Sequence, residues 1–192
     1  MLGRNNNPKL REELQKITEN ENNHGYNLSN QINLINDLAK TYPHSIEIVE
    51  EAKQKIDNTW RYNCYMFTFD LRNKNELSDV SLCIYKIFPD SQFVSYLIKN
   101  HLTEISPEEV RDGDYVIYFE HNQPKHAGKL SGEKVVSKWG TAHRWSHGLY
   151  EVSLNCGDAT KFFKQITPEQ SLKIYLEWAN QKKENIEKES KP

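Results

Sequence analysis

The chain has 192 residues, with 25 Lys and Arg against 27 Asp and Glu, giving a formal net charge of −2 at pH 7. That length suits one domain with helical extensions, able to bury a core without metals or disulfides, and so balanced a charge points to neither nucleic acid nor an anionic membrane as partner. The mean hydropathy is −0.84, no apolar run approaches the ~20 residues of a membrane helix, and the start "MLGRNNNPKL" lacks a signal-peptide core, so the expected location is cytoplasmic.

In chain order, "PKLREELQKITENEN" (8–22) reads as a short polar helix. "NLSNQINLINDLAKTYP" (27–43) follows, with Ser29 as N-cap candidate, apolar Ile32, Leu34, Ile35 and Leu38, and Pro43 as terminator. "HSIEIVEEAKQKIDNTW" (44–60) repeats a helical stripe through Ile46, Val49, Ala52 and Ile56. "WRYNCYMFTFDLRNKNEL" (60–77) is aromatic on every side; Asn63 is a good N-cap, which favours a buried helix with Cys64 at its first position. Residues 78–106 read as one or two helices broken near Pro89, with Cys83 inside the apolar pattern.

The period then changes. "DYVIYFE", "HAGKLS" and "EKVVSKWG" read as strands, the first two joined through the turn-like "NQPK" and the last two by a tight turn at Ser131-Gly132. "GLYEVSL" (148–154) and "DATKFFKQI" (158–166) read as further strands, and Pro168 opens a closing helix that frays into charge. Helices first, then an antiparallel meander, then a helix indicates an α+β fold.

A cysteine nucleophile needs a stabilised thiolate, a histidine to move the proton, and a group to orient that histidine. Cys64 at a helix start meets the first need. His126, opening a strand and followed by the small Ala127 and Gly128, is the best base, and Ser137 on the hairpin partner could hydrogen-bond its second ring nitrogen; Lys138, the other residue across, could not accept that bond when charged. His143 and His147, between or beside Trp139 and Trp145, are rivals as base or orienting group. The bland alternative is a packed cysteine and a satisfied histidine, because a Cys and a His in one sequence are a weak signal. The three cysteines, Cys64, Cys83 and Cys156, have no zinc spacing, and a metal site from His121, His126 and Cys156 has no ligand pair at helix or knuckle spacing.

The order "YNCYMF", "RDGDYVIYF", "KHAGKLSGEKVVSKWG" resembles the NlpC/P60 superfamily of papain-like cysteine hydrolases, and with "SHGLYEV" and "CGDATKFFK" it resembles an uncharacterised bacterial branch of it. The resemblance covers roughly residues 60–166. It implies a papain-like core (60–167) with an N-terminal helical extension (1–59) and a C-terminal helix and charged tail (168–192), the N-terminal helices packing on the sheet. It implies Cys64 as nucleophile, His126 as base and Ser137 at the orienting position, where better-known members carry His, Asn or Gln. Tyr62 is a second oxyanion-donor candidate, and Trp139 and His147 are substrate-binding candidates. The implied reaction is cysteine peptidase or amidase chemistry on a peptide or peptidoglycan stem, with no cofactor and no metal. An acyltransferase on the same fold is a neighbouring reading. A non-catalytic interaction module, contacting a protein partner through its helical ends, is the reading from a different class.

Overall fold

A computed structural model describes residues 6–19, 28–52, 62–71, 88–140 and 142–189. Residues 53–61 and 72–87, on which several expectations fall, Cys83 among them, lie outside the described residues. Five helices are described: α1 (Pro8–Glu19), α2 (Leu28–Leu38), α3 (Cys64–Thr68), α4 (Ser91–Asn100) and α5 (Pro168–Glu189). Seven strands form one sheet: β1 (Glu47–Glu50), β2 (Glu104–Ile105), β3 (Tyr115–Glu120), β4 (Gln123–Ser131), β5 (Lys134–Lys138), β6 (Arg144–His147) and β7 (Ala159–Phe163). The order is β1-β6-β5-β4-β3-β7-β2, and every pairing is antiparallel. The mixed α+β class expected from the sequence is the one observed.

The sheet is buried on both faces, and period-two alternation divides its residues between them. On the first face Tyr115, Ile117, Phe119, Ala127 and Phe163 pack with α3, α4 and α5 through Cys64, Phe69, Phe93, Leu97, Tyr175 and Trp178. On the second, Val116, Tyr118, Leu130, Val135, Trp145 and Phe162 pack with α1 and α2 through Leu10, Leu14, Ile17 and Ile35. Trp178 of α5 belongs to the core of the first face.

Local chemistry explains the helix starts. Asn7 Oδ1 accepts from the Leu10 N–H at 3.2 Å, with Pro8 in the first turn where its missing N–H costs nothing. Asn63 Oδ1 accepts from the Met66 N–H at 2.9 Å, so α3 does begin at Cys64. Asp90 caps α4 directly after Pro89. Thr167 and Gln170 bond reciprocally at the start of α5, a capping box.

Other expectations are corrected. Within the helical stripe expected over 44–60, residues 47–50 are instead strand β1, because "EIVE" pairs with β6, Ile48 lying opposite Trp145; the rest of that stripe from 53 on lies outside the described residues. Ser29 falls inside α2 rather than capping it, and α2 ends at Leu38, where the Thr41 and Tyr42 N–H groups close back on the Leu38 carbonyl, well before Pro43. The β3–β4 turn is His121-Asn122, both at positive φ (50° and 62°), and not "NQPK". Positive φ at both loop positions suits a tight hairpin and is tolerated by Asn and His. Pro124 sits inside β4 where the pairing register slips, since it has no N–H for a regular ladder. The β4–β5 turn is Gly132-Glu133, one residue later than Ser131-Gly132, with Gly132 supplying φ +60°. Residues 148–154 are not a strand. The Glu151 N–H bonds the Gly148 carbonyl, and a 3₁₀ turn (Leu154–Cys156) capped by Ser153 follows. The strand in this region is β6, just upstream. The proposed boundary at residue 59 therefore lies between β1 and the rest of its sheet.

Candidate functional site

Cys64 is 8% exposed and belongs to the first face. The backbone N–H groups of Ala127, Tyr65 and Cys64 itself favour its thiolate. The Lys138 charge also favours its thiolate: Lys138 is buried, donates to the Ala142 carbonyl, and its Nζ lies 4.3 Å from the centre of the Tyr62 ring. Tyr62 thus holds a cation on its ring. Burial pushes the Cys64 thiol up to about 11, against the pull of those N–H groups and Lys138. A helix start alone does not offset the desolvation, and α3 has only five residues to build a dipole.

His126 is directly opposite Tyr118, and their rings are 5.5 Å apart. Tyr118 belongs to the second face. The neighbouring pair Ile117 and Ala127 belongs to the first. Adjacent strand residues point to opposite faces, so the His126 imidazole projects away from Cys64. Its Nε2 is buried without a partner among the described residues. Burial, reinforced by nearby His147, lowers its pKa to about 3.

Ser137 also faces the second side, lying opposite Gly128 and Trp145. A Cβ at Gly128 would sit 2.6 Å from Val135 Cγ1 and 2.9 Å from the Val136 carbonyl. Only glycine allows β4 and β5 to close here. Ser137 Oγ is 2.8 Å from His147 Nε2, and His147 Nδ1 is 2.8 Å from the Gly148 carbonyl. The carbonyl can only accept, so Nδ1 carries the proton and Nε2 accepts from the serine hydroxyl. Both residues are fully buried, and burial lowers the His147 pKa to about 4. Trp139 packs 5.8 Å from His147 and 5.4 Å from Trp145. His143 meets Trp145 edge-on and accepts from the Ala52 N–H at 2.9 Å.

The structure therefore brings Ser137 to His147, with His126 beside them, and brings Cys64 to Ala127, Tyr62 and Lys138. It does not bring Cys64 to His126, nor Ser137 to His126. Among the described residues, no group of three or more His, Cys, Asp or Glu side chains is placed to hold a metal, and no helix is long and apolar enough to cross a membrane. No family model, curated protein or solved structure matches this chain.

Sequence reasoning missed Arg11. This residue of α1 is 2% exposed. It donates to the carbonyls of Val152 (3.1 Å), Ser153 (3.3 Å) and Gly157. The signal was present: Arg11 falls within the stripe Leu10, Leu14, Ile17, where an arginine is out of place unless it has buried acceptors. Glu151 was missed too. It accepts from the Ser45 N–H (2.9 Å), the Ser45 hydroxyl (2.7 Å) and the Gly148 N–H (2.8 Å). Burial opposes its charge, but these bonds more than offset that and hold its carboxyl below the usual range.

Proposed function

We propose that this chain is a non-catalytic binding module on a papain-like core of the NlpC/P60 kind. The resemblance is supported by a capped helix that opens at Cys64 and packs against the β3–β4–β5 meander. The observation that carries the non-catalytic reading is the separation of Cys64 and His126 onto opposite faces of the sheet. A thiol raised by burial, with no imidazole of the described residues facing it, is a poor nucleophile near neutral pH.

A second reading, amide-bond hydrolysis or acyl transfer at Cys64 on a peptide or peptidoglycan-stem substrate, is favoured by one observation. The backbone N–H groups of Ala127, Tyr65 and Cys64 itself, with the Lys138 charge, pull the Cys64 thiol toward its anion, surroundings that favour thiolate once substrate or solvent relieves the burial. Incubating wild type and Cys64→Ala with mixed peptides and muramyl-peptide fragments, followed by mass spectrometry, separates the two. The binding-module reading expects no cleavage or acyl exchange from either protein. Product formed by wild type and absent with Cys64→Ala replaces it with the second.

A further inference from the structure

The Ser137–His147 pair and His126 face the side of the sheet on which α1 and α2 pack, and the connection after β6 is bonded to α1 and to the approach to edge strand β1. His147 bonds the Gly148 carbonyl. The Gly148 N–H bonds Glu151, and Glu151 bonds Ser45, just ahead of β1. The carbonyls of Val152, Ser153 and Gly157 receive Arg11 of α1. Lys134 of β5 completes the seam, donating to the Ser45 carbonyl at 2.9 Å and pairing with Glu47 at 3.0 Å. Among the described residues, α1 is also held to this loop by Asn155, which donates to Glu19 at 3.0 Å, so the connection that begins at the buried His147 carries the polar anchors of the cover.

We propose that α1 and α2 form an acid-released cover over the second face, with His126 and His147 as the sensing pair and the 147–157 connection as the latch that also holds the approach to edge strand β1. Protonation puts a second proton on His147, so its Nε2 no longer accepts from Ser137. It also places charge in an apolar layer of Trp139, Trp145, Leu130 and Val135. The titratable and charged groups on the elements packed around the pair and its latch include Tyr118 from β3, Lys134 from β5, His143 before β6, Glu151 in the latch, Glu47 from β1, Arg11 from α1, and His44, which accepts from the Ile46 N–H and bonds the Ile35 carbonyl of α2. Of these Glu151 favours the charged form of His147, whereas Lys134 opposes it. The two imidazoles also repel one another's charge. Lifting the cover hydrates both rings and exposes Trp139 and Trp145 as an aromatic surface. The α3–α4–α5 core on the first face does not depend on these bonds.

The coupling has a definite size. A ring that titrates at its ordinary 6.5 in the open form and stays neutral in the closed form multiplies the open-to-closed ratio about 30-fold between pH 7.5 and pH 5.

The full chain labelled with 5-fluorotryptophan tests this by ¹⁹F NMR across pH 7.5 to 4.5. The resonances of Trp139 and Trp145 are expected to move to solvent-exposed positions, while that of Trp178, on the first face, stays. His126→Phe and His147→Gln are each expected to lower the midpoint. Arg11→Lys keeps both imidazoles and loosens the latch, and is expected to raise it. The proposal is overturned if Trp178 moves at the same midpoint, which is global acid unfolding. It is equally overturned if Trp139 and Trp145 stay put throughout, or if the midpoint is the same in wild type and Arg11→Lys.

Discussion

At the scale of single residues, one side-chain direction decides the functional reading. Sequence spacing singled out Cys64, His126 and Ser137, and all three are buried around β4 and β5. What sequence could not supply was which face of β4 each neighbour takes. A strand's pattern gives alternation but not phase when both faces are apolar, and "KHAGKL" offers a small residue on each side of the question. Arg11 shows the converse, a residue whose importance is legible once its burial is known. Arg11→Ala would strand three buried carbonyls, each costing ~1–3 kcal/mol when left unpaired. Urea unfolding is expected to show a loss of about 3 kcal/mol or more. Gly157 has φ +104°, and a Cβ there would lie 2.4 Å from the Phe119 carbonyl oxygen. Gly157→Ala is therefore expected to destabilise by more than ~1 kcal/mol, read from the same unfolding curves.

At the scale of elements, capping residues were the most legible part of the sequence. Asn63 identified the start of α3 although the run after it is aromatic on all sides, because its side chain has one strong use there. Asn63→Ala is expected to cost ~1 kcal/mol through the lost cap. It should cost further through the bond from Asn63 Nδ2 to the Pro89 carbonyl (2.8 Å), which ties α3 to the approach to α4. Thermal unfolding of this variant beside Asp90→Ala, which removes a cap and the ion pair to Lys182, compares the two. The misread elements share a physical cause. Residues 46–49 alternate Ile and Glu before Val49, which fits a helix stripe or a strand over so short a run. The partner strand β6, a hundred residues away, settles it. "GLYEVSL" is strand-like in composition, but the Glu151 carboxylate captures the Gly148 N–H and closes a turn instead.

At the scale of the whole molecule, the fold is a three-layer assembly. The two helical layers have different sensitivities because the buried imidazoles of β4 and β6 face only one of them. The α+β class was legible from the change of period along the chain. That the N-terminal segment completes the sheet through β1 was not, since strand order depends on long-range pairing. His126 and His147 have folded pKa values near 3 and 4, lowered by burial from 6.5. The unfolded chain therefore binds more protons than the folded one between those values and 6.5. Stability is full above pH 6.5 and falls as pH drops through that window. The expected loss is about 2 kcal/mol per imidazole by pH 5, measured as a lower urea midpoint at pH 5 than at pH 7.5.

The claim on which this account turns is that the Cys64 thiol does not face the His126 imidazole. The most direct test is the pH dependence of iodoacetamide alkylation at Cys64, followed by peptide mass spectrometry in wild type and His126→Ala. The account predicts slow modification below about pH 9, given a thiol raised well above the usual ~8.5, and the same profile in both proteins. Rapid modification of wild type well below pH 8.5, lost in His126→Ala, would contradict it and restore the pair as a catalytic dyad.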